Sequence, residues 1–148
     1  MALQMEKPIP KRKCRSNYQK NDKRHRADIV NNQGVVIELQ HSSISTVVMR
    51  ERELFYENML WVFDLAGKRK SFEKRGQIDE QTNEKEFSFK WTHPKRSLFV
   101  CKMPLYFDYG TKKMLCVTKI SYRGFGTGYF VEKDEFILEH GGIPKTIT

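Results

Sequence analysis

Two acidic residues, Asp28 and Glu38, lie in short β-rich runs, HRADIV (25–30) and VVIELQ (35–40), separated by Asn-Asn-Gln-Gly. Such runs around a glycine-containing loop signal a hairpin. If the loop has three residues, Asn32-Gln33-Gly34, with Gly34 in the left-handed conformation that closes such loops, Asn31 faces Val35. Asp28 then faces Glu38, and Arg26 faces Gln40. Opposed residues share a face, with Cβ atoms about 5 Å apart, and like charges so placed are destabilising unless compensated. A divalent cation with hard oxygen ligands, Mg²⁺ or a similar ion such as Mn²⁺, is one compensator. Water bound to it becomes acidic enough to attack a phosphodiester in line, and Arg26 or a basic helix residue could steady the transition-state charge. A surface hairpin neutralised by Arg24 and Arg26 would need no metal. A two-residue loop would shift the register and put the carboxylates on opposite faces.

The flanking sequence says what must hold this pair. Val35, Ile37 and Leu39, with Ala27 and Ile29, are the apolar alternates and predict a core face opposite the carboxylates. Residues 42–58 predict a helix, with Ser42, Ser43 and Ser45 as candidate N-caps. MLWVFDLA (59–66) has the near-continuous apolar character of a strand covered on both faces. Strand, helix and strand of these lengths fit a right-handed parallel crossover. Residues 67–85 are polar and predict a long loop. Strands are expected near 86–92, 97–102, 104–109 and 113–121, followed by a Gly-rich turn (123–128) and a short helix near 132–139.

The chain of 148 residues is long enough for one compact core. Residues 1–22, with Pro8, Pro10 and no apolar period, read as a flexible basic arm, 23–140 as one domain, and 141–148 as a tail that frays. Up to Arg26 there are nine Lys/Arg against Glu6 and Asp22, a net +7 within a total of +9. A basic arm suits a polyanion through counterion release, although a solvated tail has the same composition. The three cysteines form no CxxC pair, so buried or idle thiols are expected rather than a disulfide or zinc scaffold. No apolar run is long enough for a membrane helix, and no secretion signal opens the chain. Both point to a cytoplasmic protein with no membrane partner.

The segment from His25 to Ser45, followed by RELFY (52–56) and LWVF (60–63), resembles the competence CoiA-like proteins, a bacterial branch of the PD-(D/E)xK nuclease superfamily. The resemblance is dense from His25 to about Asp64 and looser through KWTH (90–93) and MPLYFD (103–108) to the Gly-rich turn. It implies an α/β fold with a restriction-endonuclease-like core, a mixed β-sheet with a crossover helix, plus an antiparallel C-terminal extension. It implies Asp28 as the metal-binding aspartate, Glu38 as the glutamate of the (D/E)xK element and Gln40 in place of its lysine, these three being catalytic. The metal ligands would be Asp28, Glu38 and the backbone carbonyl of Leu39. Glutamine lacks a lysine's charge but can hold a water or a phosphate oxygen by hydrogen bonds. Arg24, Arg26, Ser42 and Arg52 would contact nucleic acid. Arg52 could equally form an ion pair with Asp28 or Glu38, Ser42 could be a cap, and Tyr56 fits packing. The chain departs from the family where an upstream helix usually carries a glutamate, since SNYQK (16–20) has none, and it has only Cys14 where a cysteine-rich piece often stands.

Smaller signals have ordinary readings. His25 and His41 bracket the pair and could be a base or a ligand, but fit strand ends equally. Trp91 could stack on a base or sit in the core. Gly124, Gly126 and Gly128 lack the surroundings of a dinucleotide fingerprint. The expectation is a Mg²⁺- or Mn²⁺-dependent hydrolase of DNA, with RNA a possible substrate, in DNA uptake, recombination or mobile-element processing. The competing readings are a catalytically inactive nucleic-acid-binding remnant of the same fold, and a module whose basic tail docks on an acidic protein.

Overall fold

Asn31 closes the hairpin. Its Oδ1 accepts from the N–H groups of Gln33 and Val35, each at 2.9 Å, and Gly34 has φ 79°, a left-handed conformation that glycine adopts without strain. The loop therefore has three residues. β3 (Ile29–Val30) and β4 (Val36–Gln40) pair antiparallel, Ile29 with Ile37 and Val30 with Val36, which is the expected register. The computed structural model describes residues 16–20, 23–67, 72–77, 85–92 and 96–142. The first fifteen residues, Cys14 among them, and the last six lie outside the described residues, as does His93.

Before the hairpin, β1 (Ser16–Lys20) and β2 (Lys23–Ala27) form a separate antiparallel pair. Ser16–Lys20, expected in an arm without regular structure, is thus a strand. The chain bends at Asp28, so β2 does not continue into the large sheet, and Arg26 lies opposite Asn17 rather than opposite Gln40.

After β4 the chain enters α1 (Thr46–Tyr56). Ser45, not Ser42 or Ser43, is the N-cap, its hydroxyl accepting from Val48 N at 3.2 Å. The helix ends at Glu57, a non-glycine residue at φ 62°. β5 (Met59–Asp64) returns parallel to β4, and β8 (Leu105–Asp108) lies parallel to β5 on its far side. β9 (Lys113–Ile120), β10 (Phe125–Glu132), β7 (Phe87–Trp91) and β6 (Phe72–Gln77) then follow, each antiparallel to its neighbour. Among the described residues the result is one eight-stranded mixed sheet, β3-β4-β5-β8-β9-β10-β7-β6, in a mixed α/β fold. A second helix, α2 (Lys133–Glu139), follows β10.

Three stretches differ from the sequence expectation. The polar segment 67–85 contains β6, whose run Glu73-Lys74-Arg75 is exposed and so has no apolar alternation to read. Residues 97–102 are not a strand: Arg96–Val100 is a 3-10 turn that buries Ser97 and Leu98. The turn near 123–128 is shorter than expected, because Gly126 and Gly128 belong to β10. A Cβ at either would collide with the main-chain oxygen of Lys119 or Cys116, beside a register shift between Thr127 and Gly128. These glycines serve close backbone approach inside a strand.

Each face of the sheet carries an apolar cluster. Val36, Met59, Trp61, Phe63 and Phe107 build the larger core beneath Met49 of α1. Ile37, Leu60, Val62 and Met114 pack against Phe136 of α2 on the other face. Fully buried rings such as Phe63 and Phe107 each contribute roughly 2–3 kcal/mol by leaving water. Trp91 is in this core at 2% exposure, so it presents no stacking face. Cys101 and Cys116 are free thiols, half-buried and buried. Among the described residues no helix is long and apolar enough to cross a membrane.

Candidate functional site

Alternation along β4 puts Val36, Glu38 and Gln40 on one face, and the register sets Glu38 beside Trp61 of β5. This is the face that α1 covers. The expectation that the carboxylates would stand opposite the main core is therefore corrected: Glu38 is inside it, 2% exposed, among aromatic residues. The hairpin alternation held, but the helix crosses over the side that carries the acid.

α1 meets Glu38 with one turn of its inner surface. Arg52 and Tyr56, four residues apart, share a helix face with Met49 and Glu53. Arg52 Nη1 donates to Glu38 Oε2 at 3.0 Å, so of the two roles open to Arg52 the structure displays the ion pair. Across the hairpin, Asp28 Oδ2 accepts from Leu39 N at 3.0 Å. Burial pushes the Glu38 carboxyl up from 4.5 to about 7. Arg52 opposes the rise, the Asp28 charge adds to it, the Tyr56 hydroxyl lowers it, and a hydrogen bond with Asp28 raises it again. Burial and the nearby Glu38 also raise the Tyr56 phenol. Asp28 and Glu38 thus meet on one side of the hairpin, as the register required.

No family model, curated protein or solved structure matches this chain.

Glu38 Oε1 is buried without a hydrogen bond of good geometry. The indole nitrogen of Trp61, on the neighbouring strand and the same face, is likewise buried and unpartnered. Buried polar groups are nearly always satisfied, so a free carboxylate oxygen beside a second carboxylate fits a cation or a water as the missing partner. The Leu39 carbonyl lies on the strand edge to which its N–H points, toward Asp28, since both groups of one strand residue face the same neighbour. Two carboxylates and a carbonyl suit a hard divalent ion that keeps several waters. Among the described residues no three His, Cys, Asp or Glu side chains cluster to hold a metal ion, so such an ion would rest on these two carboxylates and the main chain.

The remaining sequence candidates divide. Gln40 donates to Ser42 O at 2.6 Å and to Ser42 Oγ at 3.4 Å. Its amide nitrogen is held by the strand-to-helix connection rather than aimed at the carboxylates, and Ser42 is its partner. The side chains of Arg24, His25 and Arg26 lie outside the described residues. His41 turns to Asp64, Nδ1 to Oδ2 at 2.9 Å, in an exposed pair. The Ala66 N–H, then His41, hold the Asp64 carboxyl below its usual range.

Sequence reasoning missed Glu53, which is 5% exposed. It accepts from Lys102 N with both oxygens at 3.0 Å and from Met103 N at 3.2 Å, tying α1 to the segment before β8. The spacing 49, 52, 53, 56 marks the inner helix face and was the available signal.

Proposed function

We propose that this chain is a metal-dependent nuclease-like protein of the PD-(D/E)xK type, related to the CoiA-like branch, that hydrolyses phosphodiester bonds of DNA. The observation that supports it is the meeting of Asp28 with a buried Glu38 whose Oε1 has no partner and whose carboxyl is pushed up to about 7. Perturbed carboxyl pairs of this kind concentrate at functional sites. Asp28, Glu38 and the Leu39 carbonyl would hold Mg²⁺ or Mn²⁺, which supplies an acidified water and neutralises charge on the phosphoryl oxygens. Arg52 balances the Glu38 charge while the site is without its cation. Tyr56 orients the carboxyl through its hydroxyl. Asp28, anchored by the Leu39 N–H, keeps its place against the strand edge.

Plasmid nicking with Mg²⁺ or Mn²⁺ tests this reading. Asp28→Ala and Glu38→Ala are each expected to reduce cleavage by about 100-fold or more, beyond the effect of losing a supporting group around a metal. Cleavage that survives both substitutions removes the assignment. A second reading, an inactive nucleic-acid-binding remnant of the same fold, is favoured by the 3.0 Å Arg52–Glu38 pair and by Gln40 being bound to Ser42. Salt-sensitive DNA binding that is indifferent to metal and never leads to cleavage would select it.

A further inference from the structure

α2 covers only part of the second sheet face, where Phe136 meets Ile37, Leu60, Val62 and Met114. Beyond β9 the same face continues over β10, β7 and β6. Phe87, Phe89 and Trp91 of β7 are buried in the larger core, so Lys90 projects to the opposite side. The register places Phe125 beside Lys90, and Lys90 beside Glu73. Phe125 is 41% exposed. Lys90 Nζ lies 5.0 Å and the Arg75 guanidinium carbon 5.2 Å from its ring centroid.

Arg75 shares the face of Glu73, two residues before it, which pairs with Lys90, itself paired with Phe125. Alternation separates the two neighbours: Lys74 covers the core ring Phe87, while Arg75 covers Phe125 on the other side. The adjoining β9–β10 turn adds Tyr122, 68% exposed, with the Arg123 guanidinium 5.4 Å from its ring centroid and Arg123 Nε donating to its hydroxyl at 3.1 Å. Glu73 lies 3.9 Å from Arg75, and Glu86 is bonded to Thr118 beside Thr127 on the same face.

We propose that this surface binds single-stranded nucleic acid, with bases stacking on Phe125 and Tyr122 and phosphates held by Arg75, Lys90 and Arg123. Exposed rings interleaved with cations match a polymer of flat bases and phosphates. A duplex offers no free base faces for the rings to take. Three cations against Glu73 and, farther along the same face, Glu86 leave a surplus that suits a polyanion. The inference goes beyond the carboxylate site, since nothing in it requires Asp28 or Glu38.

Fluorescence anisotropy with the full chain tests it, using labelled oligo-dT, oligo-U and a blunt duplex at low salt. Tyr122→Ala and Phe125→Ala are each expected to weaken single-strand binding about 10-fold, while Tyr122→Phe and Phe125→Trp retain it. Replacing Arg75, Lys90 and Arg123 together by Gln should lower the slope of log affinity against log salt by about 2. The dT and U arms separate a DNA-binding from an RNA-binding surface. Asp28→Asn with Glu38→Gln should leave binding intact whatever it does to nicking, so this proposal and the nuclease reading fail separately. Unchanged affinity in both Tyr122→Ala and Phe125→Ala overturns the proposal, as does a duplex bound more tightly than either single strand. Absence of affinity for all three also overturns it and turns the surface over to an acidic protein.

Discussion

Two buried glutamates, Glu53 on α1 and Glu38 on the strand facing it, are treated by the protein in opposite ways. Glu53 is enclosed by main-chain donors, accepting from Lys102 N and Met103 N through both oxygens. Glu38, buried as deeply, is met by side chains, Arg52 at Oε2 and the Tyr56 hydroxyl, and its Oε1 lacks a hydrogen bond of good geometry. It also has a second carboxylate, Asp28, acting on it. A fully satisfied buried carboxylate is a fastener. An under-satisfied one beside a like charge costs stability, and a fold keeps such an arrangement where something else completes it.

The largest effect that would break this contrast is at Glu53. Glu53→Ala should lower stability by about 3–5 kcal/mol in urea denaturation, because two main-chain N–H groups lose charge-assisted bonds. A loss below 1 kcal/mol would mean that Glu53 is no fastener. At Glu38 the effect depends on pH. The folded state binds the proton more tightly than the unfolded chain, with the carboxyl moved from 4.5 to about 7. Its contribution is full below pH 4.5, declines as pH rises through about 7, and is constant above. The total is on the order of 3 kcal/mol. Urea midpoints between pH 4.5 and 8 should fall accordingly in the wild type, and Glu38→Gln should flatten the curve.

Arg52→Gln sharpens the contrast further. With the compensating cation gone, the Glu38 midpoint should move above its present value in carboxyl NMR. The stability loss should be about 2 kcal/mol at pH 8, where Glu38 is charged, and under about 1 kcal/mol at pH 5. The smallest effect is expected from Tyr56→Phe, which removes one hydroxyl from the carboxyl. Glu38 should again titrate higher, with a loss of about 1 kcal/mol at pH 8.

Local chemistry made part of this legible in advance. Asn-Gln-Gly after Asn31 allowed a three-residue loop, the structure has that loop with Ile29 opposite Ile37, and Asp28, at the bend just beyond, acts on Glu38. The apolar run from Met59 showed a strand covered on both faces. Which face α1 would cover was not legible, because a hairpin pattern marks an apolar side and says nothing of a helix lying over the other. Glu38 therefore came out buried rather than open. β6 was hidden because Glu73, Lys74 and Arg75 are all exposed, so no apolar alternation marks it. Gly126 and Gly128 read as a turn because close backbone approach across strands leaves the same mark in sequence as a loop. Ser45, Ser43 and Ser42 were equivalent candidates until the position of the first helical turn separated them.

A cation shared by Asp28 and Glu38 is read most directly by paramagnetic broadening by Mn²⁺ in amide NMR spectra. Substoichiometric Mn²⁺ at pH 7.5 should broaden resonances centred on Asp28 and Ile37–Gln40, and the effect should vanish in Asp28→Asn. Broadening centred elsewhere, or a Glu38 environment untouched by Mn²⁺ at millimolar concentration, would contradict it.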